Sequence, residues 1–223
     1  MSELREYDAT SRDAPREYSA TVRQSARDYS AMVSDGFAET PPTTIIEDFE
    51  DGLGDVQTVD DSGDPSFSTV ERNGDNWLEI VVDDGDTGFA GSSLDGTEYT
   101  VDIEIPESND AATTVPCGLV DDTASALLII DTGAQVFPVE LNLLDEDSNF
   151  VDNVGVSEDL RGKTLTAEFA YDGSTMSVTL QADSEYNLSG AVDINKDNLL
   201  YLLGMSGQNG GPGTVYYDDV RQV

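Results

Sequence analysis

The chain contains no histidine. That removes imidazole metal sites, the commonest general base, and the familiar Ser-His and Cys-His nucleophile pairs. Its one cysteine, Cys117, lies in the apolar run VPCGLV and reads as a small buried hydrophobe, with no second thiol for an intrachain disulfide. What remains is carboxylate chemistry, supplied by 46 acidic residues against 10 basic ones. Glu47 and Glu50 near the start of the apolar sequence, and Asp218 and Asp219 near its end, are candidate ligands for a structural Ca2+, a hard ion that takes carboxylate and carbonyl oxygens. Asp145, Asp147 and Asn149 have the spacing that opens a calcium loop, but Val156 stands where its bidentate Glu belongs, so an Asx-rich hairpin turn accounts for them. Sugar recognition needs an aromatic platform, and Trp77, the single Trp, is the candidate beside Phe89, Tyr99 and Tyr186.

The elements that must position these residues are strands. Glu98 to Ile105 puts Tyr99, Val101, Ile103 and Ile105 on one face and Glu98, Thr100, Asp102 and Glu104 on the other. Lys163 to Tyr171 and Thr175 to Ala182 form a hairpin through Asp172-Gly173-Ser174, and Gln135 to Asp145 pairs with Phe150 to Val156. The apolar SALLIID segment, 125 to 131, reads as a central strand. Thr43 to Glu50 and Gly213 to Val223 are expected to lie side by side and seal the fold, with Tyr216 and Tyr217 on opposite faces.

An opening strand ending in Phe-Glu, a KTLTAEFAY…TMSVTLQA hairpin and a closing Tyr-Tyr-Asp-Asp-Val resemble concanavalin A-like and laminin G-like domains over about residues 43 to 223. The resemblance implies an all-β, two-sheet jelly-roll sandwich over residues 45–223. It also implies a cation where the two chain ends meet, as in related carbohydrate-binding modules. Asp102, Glu104 and Glu107 imitate the acid-bearing strand of laminarinase-type glycosidases. Here the residue types are reordered, Pro106 interrupts the strand, and no Trp-rich flank follows. The chain is therefore expected not to be an enzyme.

Residues 1–35 are different in kind. Arg5-Glu6-Tyr7, Arg16-Glu17-Tyr18 and Arg27-Asp28-Tyr29 recur at a spacing of eleven. Eleven residues make three helical turns, so Tyr7, Tyr18 and Tyr29 share a stripe, joined by Val22, Met32 and Val33. Pro15 fits the first turn of a helix over 14–35 that Asp13 caps and Gly36 ends. So thin an apolar stripe cannot fold alone. It is expected to dock on another chain, on its own sandwich or on a particle, making the protein a homo-oligomer or a component of a larger assembly. Pro41 and Pro42 stiffen a linker over residues 36–44.

A formal charge of -36, with acids scattered over polar strand positions, is the surface of a protein that works in molar salt. It excludes direct nucleic-acid binding, which needs clustered Lys or Arg. No eighteen-residue apolar run marks a membrane span, and no apolar leader opens the sequence. A salt-adapted sandwich made in the cytoplasm, with a repeated dock and a Pro linker, fits a virion structural protein of a virus of halophilic archaea. Such a turret, decoration or tail-fibre protein would contact other virion proteins and a host-surface glycan. The alternative is a cellular carbohydrate-binding module. In dilute buffer the carboxylates repel one another, whereas at about 1 M salt the Debye length falls to roughly 3 Å. Thermal unfolding followed by circular dichroism is expected to move upward by several degrees from dilute buffer to molar salt, each 1 kcal/mol of relieved repulsion shifting Tm by about 2–4 °C.

Overall fold

Alternating burial sorts the strands into layers. In Glu98–Ile105, Tyr99, Val101, Ile103 and Ile105 are buried while Thr100, Asp102 and Glu104 are partly exposed, and Lys163–Tyr171 and Thr175–Gln181 repeat the pattern. The computed structural model describes residues 46–94, 96–109, 113–121, 124–132, 139–144, 150–154, 159–207 and 211–222. The described strands are β1 (Ile46–Glu47), β2 (Gln57–Ser62), β3 (Ser66–Arg72), β4 (Asp75–Val82), β5 (Thr87–Ser93), β6 (Glu98–Ile105), β7 (Thr114–Val120), β8 (Ser125–Asp131), β9 (Val139–Leu144), β10 (Phe150–Val154), β11 (Lys163–Tyr171), β12 (Thr175–Gln181), β13 (Glu185–Ala191), β14 (Leu200–Ser206) and β15 (Gly213–Gln222). Eight form one sheet in the order β13-β12-β11-β6-β15-β4-β3, with β1 on β15; seven form the other, in the order β10-β9-β8-β7-β14-β5-β2. Neighbours pair antiparallel throughout, and the inner faces close on one core. This is the expected all-β, two-sheet sandwich.

The chain ends meet as expected, but over a shorter stretch. Ile46 pairs with Arg221 and Glu47 with Val220, after which the backbone turns away at Phe49 with φ 55°. Residues 43–45 lie outside the described residues, as do the stripe residues Tyr7, Tyr18, Val22, Tyr29, Met32 and Val33 and the loop 145–149. Two strands escaped sequence reading. β5 carries Gly88 and Gly91 and is buried on both faces, so it shows no alternation, while β13 is a polar edge strand.

Two tyrosines of the eight-stranded sheet reach across the core to backbone groups of the seven-stranded one. Tyr99 stacks on Phe169 with centroids 4.7 Å apart and donates its hydroxyl to the Gly118 carbonyl at 2.9 Å. Tyr217, on the closing strand, serves a gap. In the register of β14 against β7, Gly204 faces Pro116, which has no N–H to complete the ladder. The Tyr217 hydroxyl fills that place, donating to the Gly204 carbonyl at 2.7 Å and accepting from its N–H at 3.2 Å. Any Cβ at Gly204 would sit 2.5 Å from the Phe89 ring and 2.9 Å from Pro116, so only glycine lets the three strands close here. Tyr216, on the opposite face, lies under the Arg72 guanidinium at 3.8 Å.

Removing the Tyr217 hydroxyl leaves a buried carbonyl and N–H without their partner. Tyr217→Phe is expected to lower unfolding free energy by about 1–3 kcal/mol, seen in urea denaturation as a lower midpoint at unchanged slope.

Candidate functional site

One end of the sandwich carries a polar cavity of about 920 Å3 lined by Thr97 and Glu98, Tyr171 to Gly173, and Asp193 to Asp197. Three connections build it, and each is held from within. The β11–β12 turn has Gly173 at φ 97° and Asp172 as its anchor. The Asp172 carboxylate accepts from Thr175 N at 2.8 Å, Ser174 N at 2.9 Å and Ser174 Oγ at 2.9 Å. Those bonds, the Thr175 N–H first, hold its carboxyl below the ordinary range. The hydroxyl of buried Tyr171 accepts from Ile194 N at 3.1 Å and donates to Val192 O at 3.2 Å. The β13–β14 loop is thereby pinned to β11.

The same loop is pinned a second time by Asp121, a buried carboxylate that accepts from Asn195 N and, at 2.5 Å, from Ala124 N. Asn195 Oδ1 caps the single described 3-10 turn, Lys196–Asn198, through Asp197 N at 3.1 Å. The exposed side chains of Glu98, Asp172, Asp193, Asn195, Lys196 and Asp197 thus stand on rigid backbone around one opening. Carboxylates, an amide and one ammonium in such a ring accept and donate hydrogen bonds to vicinal hydroxyls. Sequence reading missed the site because it carries no motif; the alternating Asp193, Asn195 and Asp197 between two strands was the available signal.

The four acids considered for Ca2+ do not converge, and among the described residues no group of three or more Asp, Glu or Cys could hold a metal ion. Glu50 accepts from Asn76 N at 2.9 Å and Asn76 Nδ2 at 3.1 Å. Asp219 sits in a β-bulge with φ 51° and is ion-paired to Arg221. Glu47 is paired with core-facing Val220 and folds back toward Gly54; desolvation raises its pKa. Asp218 keeps a buried oxygen, Oδ1, without a hydrogen-bond partner and is 5% exposed. Its own strand register sets it opposite Asp102. Desolvation, with the charges of Asp219, Asp75 and Asp102, pushes its pKa up to about 6, against a lowering bond from Asp219 N–H.

The acids of the glycosidase-like spacing each have their own setting. Asp102 accepts from Thr166 Oγ1 at 2.6 Å, Glu104 is ion-paired with Arg72, and exposed Glu107 lies beyond the end of β6. None of the three lines the cavity. Trp77 points away from the main core on β4 yet is 8% exposed, so its ring offers little open face for stacking. Cys117 is fully buried, and burial pushes its thiol up, as an inert core residue requires.

Neither a protein-family model nor a curated protein sequence matches the chain. Solved structures do. Peanut lectin with a 9mer peptide aligns at TM-score 0.58 and 11% identity, over 81% of this chain and 98% of the lectin. The metal-free lectin I-B4 of Griffonia simplicifolia aligns at 0.55 and 16%, over 81% and 98%. The β-glucanase of Bacillus licheniformis aligns at 0.56 and 12%, over 82% and 98%. The fold is the lectin and glucanase jelly roll. At such identities the likeness is one of fold, and the chemistry has to come from the residues.

Asp218 supplies a test of the electrostatics. The folded protein holds its proton to about pH 6, whereas an unfolded chain releases it near 4, so this group's contribution falls as pH rises between those values. Asp218→Asn is expected to be about 1–2 kcal/mol more stable than wild type near pH 7.5 in chelator, with the difference vanishing toward about pH 4. Paired melting curves across that range measure it.

Proposed function

We propose that this protein is a non-catalytic, lectin-like recognition module that binds a neutral glycan in the cavity at the end of its sandwich. The observation that carries this reading is the cavity itself: exposed carboxylates and an amide converge there on backbone that Tyr171 and Asp121 hold in place. Preorganised polar groups lower the ordering cost of binding a flexible, hydroxyl-rich ligand. Four acids and one lysine around the opening disfavour uronic or sialic acids and favour uncharged sugars. The lectins of peanut and Griffonia share the fold, which supports the reading without specifying a sugar. A non-enzymatic role is supported by the partners of these acids, Asp102 with Thr166 and Glu104 with Arg72, and by the cavity lining, which includes none of Asp102, Glu104 and Glu107.

The setting we propose is a virion of a halophilic archaeal virus, where the sandwich would be displayed for contact with a host-surface glycan. Its support is the charge of -36 and the repeated segment joined by a Pro-containing linker.

Glycan-array binding in molar salt is the test. Neutral glycans are expected to bind, and Asp193→Ala or Asn195→Ala to weaken binding about tenfold to a hundredfold, the worth of one or two hydrogen bonds to charged or polar groups. A blank array, or affinity indifferent to both substitutions, overturns the reading. Absence of the protein from purified particles by mass spectrometry overturns the viral setting alone.

A further inference from the structure

The basic residues of the sandwich are Arg72, Arg161, Lys163, Lys196 and Arg221. Arg72 is ion-paired with Glu104, Arg161 with Asp159, Lys163 with Asp183 and Arg221 with Asp219. Among the described residues Lys196 is the exception. Its ammonium makes no ion pair or hydrogen bond, although it lines the same cavity as Glu98, Asp172, Asp193 and Asp197.

The backbone accounts for this. Asn195 N is held by Asp121, and Asp197 N by Asn195 Oδ1 at 3.1 Å, so the chain is fixed on both sides of Lys196. Asp197 follows it directly in the 3-10 turn, and adjacent side chains on a helical turn diverge. An ion pair between exposed side chains adds little stability, so the ammonium is not drawn out of solvent toward an acid.

Around the opening, donors are scarcer than acceptors. Carboxylates accept hydrogen bonds and donate none. The Tyr171 hydroxyl already donates to Val192 O. Asn195 uses its Oδ1 in the cap, which leaves the hydrogens of Nδ2. The side-chain donors that remain in the lining are the Thr97 hydroxyl, the Asn195 amide and the Lys196 ammonium, and only the last is charged. A sugar hydroxyl needs both kinds of partner, because it carries one hydrogen to give and two lone pairs to receive.

We propose that Lys196 is the specificity-determining donor of this cavity, donating to a hydroxyl of a neutral sugar whose own hydrogen goes to one of the neighbouring carboxylates. Resting on the glycan reading of the same cavity, this role narrows the ligand to a sugar with two adjacent free hydroxyls, the second served by Asn195 Nδ2. Removing the first hydroxyl forfeits both of its bonds, while an O-methyl group keeps the acceptor and loses the hydrogen. An anionic substituent is a poorer occupant. It would satisfy the ammonium but face four acids with no hydrogen to give any of them.

The test titrates the full-length protein in molar salt by isothermal calorimetry. The probes are the methyl glycosides of glucose, galactose and mannose, their monodeoxy and mono-O-methyl derivatives, and the methyl glycoside of glucuronic acid. Lys196→Met removes the donors from an exposed side chain and is expected to leave Tm unchanged. For the best-bound neutral glycoside, deoxygenation at either of two adjacent carbons is expected to weaken binding at least about tenfold, and Lys196→Met to weaken it by a similar factor. At one of those carbons the two losses are expected not to add, because hydroxyl and ammonium then report a single interaction. Undiminished binding of every probe by Lys196→Met overturns this role and leaves the glycan reading standing, as do additive losses at every carbon. A loss confined to the glucuronic acid glycoside makes Lys196 an anion anchor and overturns it as well. A wild type that binds none of the probes overturns both.

Discussion

A missing N–H organises the centre of this molecule. Pro116 cannot donate to the ladder between β7 and β14, and a phenol from the opposite sheet takes its place at Gly204. The consequence is that the closing strand is bonded across the core as well as along its own sheet. β15 also joins β4, β6 and β1, so it carries the registers of three strands and one inter-sheet bond. Tyr99 makes the second crossing, to Gly118. Hydrophobic area holds two sheets together without fixing their relative slide. Two buried hydroxyls aimed at named carbonyls do fix it, because displacement by one residue would strand both groups without partners.

That fixed slide determines what the edges can do. The turns that line the cavity leave β11, β12 and β13, strands of the eight-stranded sheet, whereas Asp121 follows β7 of the other. Asp121 bonds Asn195 N beside the Leu200–Val120 pair of β7 and β14, while Tyr171 of the other sheet bonds Val192 O and Ile194 N, so the loop is tied to both sheets. The backbone under the cavity is therefore a product of the core, and Asp172 is ordered before anything binds, which lowers the ordering cost of binding.

The strands with simple alternation were legible from the residues alone: β6, β11 and β12, and the Asp172-Gly173 turn between the last two, where φ is 97°. β5 was not, because a strand covered on both sides has no polar face to mark its period. The chain-end pairing was legible in kind, and the acids near it were legible as an electrostatic problem. Their fate was not, since it depends on the bulge that turns Asp219 to Arg221 and leaves Asp218 opposite Asp102. Bulges carry little signal in one sequence. The cavity was invisible for a related reason: its residues are ordinary acids and amides, made into a site only by the backbone beneath them.

One jelly roll hosts lectins and glucanases alike, so the distinction has to come from where carboxylates end up. Hydrolysis requires a pair close together, with one held protonated over the substrate. In this chain the carboxyl driven up to about pKa 6, Asp218, is buried on the outer side of the eight-stranded sheet, away from the cavity. Around the cavity the fold does the opposite at Asp172, holding it ionised through three local hydrogen bonds. An ionised carboxylate is a hydrogen-bond acceptor and a poor general acid. An acceptor held ionised at the opening is what hydrogen bonds from hydroxyl groups need.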